Sequence, residues 1–349
     1  MTVPSLLPKA RSNTRSRLCA LAATLLLLLA GQASAADPCD ALVRWLPALD
    51  ARECAAAQLQ PADGAHSVRG QPIYQRELPL PAPRLRVLVV GGMHGDEMSA
   101  ATLTLRWLAL AQADPADVHW HFIPVLNPDG MFRPQPQRTN ARGVDLNRNF
   151  PTPDWQRQSR IYWEQRTRKD PRRYPGPSAL SEPESRFLHN EMARFQPHLI
   201  VSVHAPYGLL DFDGLATDGV AIEPPRRLGR LHLDQLGVYP GSLGNYGGVH
   251  RRMPVVTIEL ASATELPRAD EVATMWADLL AWMRAKLPGM ATPPEPLAPP
   301  APTDLPWTNP LPDLLPLAEP VPEDIPWTDP LPDMPPADPI LNEIGLKPK

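Results

Sequence analysis

Four short tracts of this 349-residue chain carry residue types that can do chemistry together. They are Gly91-Gly92-Met93-His94-Gly95-Asp96-Glu97, Gly143-Val144-Asp145-Leu146-Asn147-Arg148-Asn149-Phe150, Ser202-Val203-His204 and Thr257-Ile258-Glu259-Leu260. Two histidines and a carboxylate form a donor set for a divalent cation such as zinc. A hydrolytic zinc site wants three protein ligands and one open position. His94 and Glu97 are three residues apart, where a strand end passes into the first turn of a helix, so both can close on one ion. His204 can complete the set. Glu259 ends the apolar run Pro254–Ile258, where an unpaired carboxylate would be costly. As a general base it has a reason to be there, because partial burial raises its pKa towards the working range. The alternative for Glu259 is a structural salt bridge to Arg251 or Arg252.

Each of these polar groups lies just past an apolar run. Leu85–Val90, His198–Val203 and Pro254–Ile258 read as buried strands. Ser67–Leu78 reads as an edge hairpin, Val118–Leu126 as a strand, and Ser99–Ala113 and Asp270–Lys286 as helices. A further helix over Ser181–Phe195 would open on a capping box, Ser181-x-x-Glu184. This alternation predicts an α/β fold, a three-layer α/β/α sandwich with a mixed, largely parallel sheet, whose ligands gather beyond the carboxyl ends of the strands. His66, His189, His232 and His250 read as ordinary polar residues. His119 and His121 share a strand face without a third ligand and read as structural.

The ends of the chain differ from its body. Residues 1–35 hold Lys9, Arg11, Arg15 and Arg17, no acidic residue, the apolar run Leu18–Ala30, and then Ala33-Ser34-Ala35. This is the pattern of a secretory signal cut after Ala35. A membrane anchor is the alternative, but the run is short against the roughly 20 residues a span needs. Cys39 and Cys54 are then the pair left in an exported chain, and a disulfide within an N-terminal segment of residues 36–67 is expected. Periplasmic or secreted placement follows.

The net charge of −4 is unevenly spread: the signal is basic, and residues 291–349 hold ten acidic residues against two lysines. The body between them is close to neutral, which excludes a nucleic-acid-binding balance. From residue 288 prolines fall every few residues, and the tract Asp304–Leu314 returns as Asp324–Met334 after 20 residues. A disordered, extended tail is expected, either a spacer or a docking segment for a protein partner. Arg157, Arg160, Arg166, Arg168, Lys169, Arg172 and Arg173 crowd one loop, which is either solvated or attracts anionic peptides.

His94-x-x-Glu97, Asn127-Pro128-Asp129-Gly130, Arg138, Asp145-x-Asn147-Arg148-Asn149, His204 and Thr257-Ile258-Glu259 together resemble the zinc carboxypeptidase (M14) family over nearly all of residues 68–287. The tracts Arg138–Pro151, Pro175–Glu184 and Pro240-Gly241-Ser242 are similar to its murein peptide amidase branch. The resemblance implies one zinc ion on His94, Glu97 and His204, with Glu259 as base and Arg138 stabilising the oxyanion. It implies that Asn147 and Arg148 grip a substrate carboxylate and that Asp145 orients His94. Either Tyr239 or Tyr246 would close over the substrate. The expected activity is hydrolysis of the γ-D-glutamyl–meso-diaminopimelate bond of cell-wall stem peptides. General carboxypeptidase or N-acyl amino acid deacylase action stays open, as does a catalytically idle wall-binding scaffold.

Overall fold

The structure is a computed structural model, described over residues 37–214 and 222–287. The signal and the proline-rich tail expected from the sequence lie outside the described residues. Chain order is α1 (Pro38–Trp45), α2 (Ala51–Ala57), β1 (Gln60–His66), β2 (Pro72–Leu78), β3 (Leu85–Val90), α3 (Met98–Ala113), β4 (Val118–Ile123) and the helical turn α4 (Pro128–Met131). There follow α5 (Trp155–Ile161), α6 (Pro183–Phe195), β5 (Leu199–His204), β6 (Leu209–Asp213), the short strands β7 (Arg227–Leu228) and β8 (Leu231–His232), β9 (Val255–Glu259) and α7 (Ala269–Lys286). Seven strands form one sheet in the order β1-β2-β4-β3-β5-β9-β6.

The sheet is mixed. β4, β3, β5 and β9 run parallel at its centre, and β1, β2 and β6 are antiparallel at its margins. The central strands are short apolar runs rich in β-branched residues, the composition of strands covered on both faces. Side chains alternate along each strand, so one set of strand residues faces each layer. Val87, Val89, Trp120, Phe122, Val201, Val203, Val256 and Ile258 join α1, α2, α3 and α7 in one core. Leu88, Val90, Ile123, Ile200 and Val255 join α6 and the loops around Leu146, Phe150 and Tyr246 in the other. Helices therefore cover both faces, in the three layers expected. Trp276 of α7 lies 4.8 Å from Trp120 and 5.4 Å from Trp107, a cluster that seats α7 against the sheet.

Several details depart from the sequence reading. Helices α1 and α2 were not expected. The first opens on Asp37, which accepts from the Cys39 N–H at 2.9 Å, and the second opens on a capping box between Asp50 and Glu53. Cys39 and Cys54 are joined, which ties α1 to α2. Closing a loop of this length stabilises a fold by about 3 kcal/mol in the chain-entropy view. Leu42, Leu46, Leu49 and Cys54 sit in the same core as α3 and α7, so helices α1 and α2 pack against the sheet. The edge hairpin starts earlier than expected, with β1 ahead of Ser67 and Ser67 in the turn. The capping box at Ser181 is absent. Pro183, with its fixed φ and missing N–H, sets the first turn of α6, and Glu182 stands at the N-cap without a side-chain cap bond. Ser181 donates instead to Glu182 at 2.8 Å, while Glu184 accepts from the Val68 N–H and from Asn140.

β6, which the sequence reading missed, brings two carboxylates beside β9. Asp211 lies opposite Thr257 and Asp213 opposite Val255, so both face the same side of the sheet as Glu259. No salt bridge reaches either aspartate among the described residues. Burial pushes Asp213 up to about 7, with the neighbouring Asp211 adding to it, and pushes Asp211 up to about 6. Carboxyls raised in the folded state stabilise it fully only below their unfolded value near 3.8, and that stability is lost as pH rises through 6 to 7. Asp213→Asn is therefore expected to raise Tm by several degrees at pH 8 and much less at pH 4.5. Thermal melts of the two proteins at both pH values check this, and an equal shift at both would contradict it.

Candidate metal centre

Three neighbouring parallel strands end at the site. Val90 closes β3, and four residues later the chain presents His94; His204 is the last residue of β5; Glu259 is the last of β9. His204 and Glu259 are direct partners in the ladder. Chain order reverses between β3 and β5, with β4 on one side of β3 and β5 on the other, which opens a crevice at the carboxyl ends. Glycine is needed where the loops meet. A side chain on Gly95 would run into the backbone of Gly130 and Met131, and Asn127 bonds both Met93 O at 3.3 Å and Arg138 O at 3.2 Å. The turn Asn127–Gly130 thus locks the His94 loop to the Arg138 loop.

His94, Glu97 and His204 converge, with one donor atom from each within 4.8 Å of the others, and all three are buried. His94 Nδ1 is 2.7 Å from Glu97 Oε1, His204 Nδ1 is 2.9 Å from Glu97 Oε2, and the two Nδ1 atoms are 3.1 Å apart. The outer nitrogens are engaged elsewhere: His94 Nε2 donates to Asp145 Oδ1 at 3.2 Å, and His204 Nε2 is 2.9 Å from Ser202 Oγ. With Nε2 protonated, both imidazoles turn a lone pair towards Glu97. Arg138 Nη1 also approaches His94 Nδ1, at 3.1 Å. No single proton on His94 Nδ1 serves both a carboxylate and the lone pair of a second imidazole at once. A cation among the three donors does, and two imidazole nitrogens with one carboxylate are a donor set that suits zinc. Glu97 stands at the N-cap of α3 yet makes no cap bond, because its carboxylate is turned to the histidines.

The charges around this cluster are ordered. Burial pushes Glu97 upward, but the two imidazoles outweigh it and hold its carboxyl well below the usual range. Asp145 is fully buried, and Arg138, whose Nε donates to its Oδ2 at 3.0 Å, keeps it ionised. Asp145 also accepts from the Asn147 N–H at 3.0 Å, so it caps the turn that presents Asn147 and Arg148. Glu259 has the opposite environment. Burial, then the negative charge of Glu97, push its carboxyl well above the usual range, and its Oε2 is buried without a partner. Arg251 and Arg252 make no ion pair with it among the described residues.

The remaining expected residues divide. Arg148 is 4% exposed and has no carboxylate within salt-bridge distance among the described residues; its Nη1 donates to Asn147 O at 2.6 Å and its Nε has no partner. Asn147 Oδ1 accepts from the Leu243 N–H at 2.8 Å, which joins the Arg148 turn to the segment after Ser242. Tyr239 packs on the Arg148 guanidinium, its ring centre 4.7 Å from Cζ, with its hydroxyl donating to Leu236 O. Tyr246 is a correction: it is buried in the second core, stacked on Phe150, with its hydroxyl 2.8 Å from His189 Nδ1, and so cannot close over a ligand. The π-helical turn Gly244–His250 places that tyrosine among core groups rather than at the crevice. His119 and His121 bond Glu77 and Gln75 at 2.9 and 2.7 Å. Ser202 was not singled out in the sequence, although its position two residues before His204 puts both on one strand face. Of the arginine-rich loop, Arg172 reaches Asp96 at 2.7 Å, which brings residues 162–173 beside the crevice.

Residues 43–210 match the zinc carboxypeptidase (peptidase M14) family. The chain is 35% identical over 147 residues to murein peptide amidase A of Escherichia coli K12, covering 42% of this chain and 59% of that protein. It is 30% identical over 220 residues to murein peptide amidase A of Vibrio campbellii, covering 60% of this chain and 82% of the relative. Among solved structures, murein-tripeptide amidase MpaA of E. coli O157 is 27% identical, with a TM-score of 0.41 over 63% of this chain and 88% of that one. The chain belongs to the zinc carboxypeptidase family.

Asp145 is the shared support of His94, Arg138 and the Arg148 turn. Asp145→Ala is expected to lower zinc affinity by about 10–100-fold, the usual cost of removing a carboxylate that orients a metal-binding histidine. Competition with a chromophoric chelator measures it; unchanged affinity would mean that His94 is oriented without Asp145.

Proposed function

We propose that this protein is an exported zinc hydrolase that cleaves an amide bond in peptidoglycan stem peptides, the γ-D-glutamyl–meso-diaminopimelate bond. The observation that carries this reading is the pairing of a three-donor cluster with two buried ionisable groups that form no ion pair among the described residues. Glu259, at the end of the strand next to His204, keeps Oε2 without a hydrogen-bond partner, and Arg148, three residues after Asp145, keeps Nε without one. The names of the E. coli and V. campbellii relatives support a murein peptide as the substrate class.

His94, Glu97 and His204 would hold one zinc ion, which supplies Lewis-acid polarisation and lowers the pKa of water. Glu259, raised by burial, takes the proton of the attacking water and passes it to the leaving amine. Arg138 is kept charged by Asp145 and Glu97 and presents donors on the same side as His94, where it stabilises the oxyanion that develops on the scissile carbonyl. Arg148 offers its free N–H groups to the carboxylate of the amino acid being released, in the planar two-point geometry that suits a guanidinium. The basic N-terminal tract and the Cys39–Cys54 disulfide fit action in an oxidising compartment. The proline-rich tail carries no ligand, base or anchor and serves to place the enzyme or to hold a protein partner.

Two outcomes are expected. Glu259→Gln keeps the zinc and the fold but lowers turnover of the murein tripeptide by about 10²-fold or more, the scale of a lost general base; near-normal turnover would assign the proton transfer to another group. Arg148→Ala impairs substrates with a free carboxylate beside the scissile bond far more than their amidated forms, because a charge-assisted pair is lost. Zinc-loaded protein offered the murein tripeptide, ordinary C-terminal peptides and N-acyl amino acids in parallel identifies the substrate class, and preference for either of the latter two would overturn the murein assignment.

A further inference from the structure

We propose that Tyr162 is a positioning residue for substrate recognition, forming with Tyr239 an aromatic corner that holds the Arg148 guanidinium and turns its free N–H groups to the substrate carboxylate. This rests on the reading of Arg148 as the carboxylate anchor. The Cζ atom of Arg148 lies 4.7 Å from the Tyr239 ring centre and 5.4 Å from that of Tyr162, and the two ring centres are 5.5 Å apart at an interplanar angle of 59°. The three centres make a nearly equilateral triangle, so the guanidinium fills the angle between two tilted rings.

A buried arginine is normally stabilised by an acid, but an acid would occupy the planar fork and compete with the ligand. Ring faces stabilise the cation through their quadrupoles and consume no N–H donor. Arg148 has this arrangement: two rings, one backbone bond to Asn147 O, a buried Nε without a partner, and no ion pair among the described residues. The backbone of Arg148 is gripped from the same direction. Trp155, at the start of α5, donates its indole N–H to Arg148 O at 2.8 Å, and Tyr162 directly follows α5 as the first residue of a π-turn over Tyr162–Arg166. π-Turns recur where a helix is re-aimed for function. Here the wider turn follows the residues that hold the Arg148 main chain and opens with the ring that holds its side chain. Fixing a long side chain beforehand lowers the ordering cost when the ligand binds.

The test compares wild type, Tyr162→Leu, Tyr162→Phe and Arg148→Ala on the best substrate of the parallel assay, in its free-carboxylate and amidated forms. Leucine keeps apolar bulk at this half-buried position and removes the ring; phenylalanine keeps the ring face. Thermal melts accompany the kinetics. The expected result for Tyr162→Leu is a KM about tenfold higher for the carboxylate form, with kcat within about twofold, KM for the amide unchanged and a melt lowered by no more than a few degrees, the cost of one cation–π contact. Tyr162→Phe should stay close to wild type. Wild-type KM in Tyr162→Leu, an equal loss on both forms, or a Tyr162→Phe variant as impaired as Tyr162→Leu would overturn the proposal. If Arg148→Ala abolishes the preference for the carboxylate while Tyr162→Leu keeps it, only the role of Tyr162 fails. If Arg148→Ala keeps the preference, the anchor reading itself fails and the corner loses its purpose.

Discussion

The buried carboxylate of Asp145 is the interaction on which the crevice depends. It reaches three parts of the site at once: His94 Nε2 at 3.2 Å, Arg138 at 3.0 Å and the Asn147 N–H at 3.0 Å. A fully buried carboxylate survives only when its lone pairs are spent on donors, and here every donor belongs to a functional group. The consequence is geometric coupling. The tautomer of His94, the direction of the Arg138 guanidinium and the turn that carries Arg148 are all set by one side chain.

The sheet supplies the other half of the placement. Strand residues alternate between layers, so Ser202 and His204 share a face two residues apart, and the parallel register puts His204 beside Glu259. The apolar residues between them, Val203 and Ile258, point into the opposite core. His204 and Glu259 are thus held by strands whose neighbours are locked in packing, and rigid elements aim a side chain better than loops do. The loops that remain are tied to each other. Asn127 spans the His94 and Arg138 segments, and Asn147 spans the Arg148 turn and Leu243.

Much of this was legible in the sequence for a physical reason. Leu85–Val90 has the length and β-branched content of a central parallel strand, and it is one to the residue. A polar group just past such a run must lie at the carboxyl edge of the sheet, so the convergence of His94, His204 and Glu259 follows from period and boundary alone. What stayed hidden depends on partners far along the chain. Helix α1 and helix α2 are short, and it is the core they share with α3 and α7, not their propensity, that holds them. The start of α6 differs from the expected one because Ser181 has the distant Asn149 and the adjacent Glu182 as partners that compete with capping. Tyr246 could not be told from Tyr239 by sequence position, since both precede the same strand; burial against Phe150 separates them. Tyr162 gave no signal, because nothing local marks a ring that packs on a side chain 14 positions away.

The two unpaired charges complete the logic of the site. Leaving Glu259 and Arg148 without an ion pair among the described residues costs folding energy, and a sequence selected for stability alone would pair or replace them. Neither is paired with the other, although both face one crevice. The acid sits on a sheet strand near Glu97, where like charge and burial keep its proton affinity high. The base sits across the crevice in an aromatic corner, where ring faces stabilise it without neutralising it. Under the proposed function, a substrate carboxylate would pair with Arg148 on binding and hydrolysis would use Glu259. The energy withheld from the fold is thereby available to orient and cleave such a substrate, which is how binding energy contributes to catalysis.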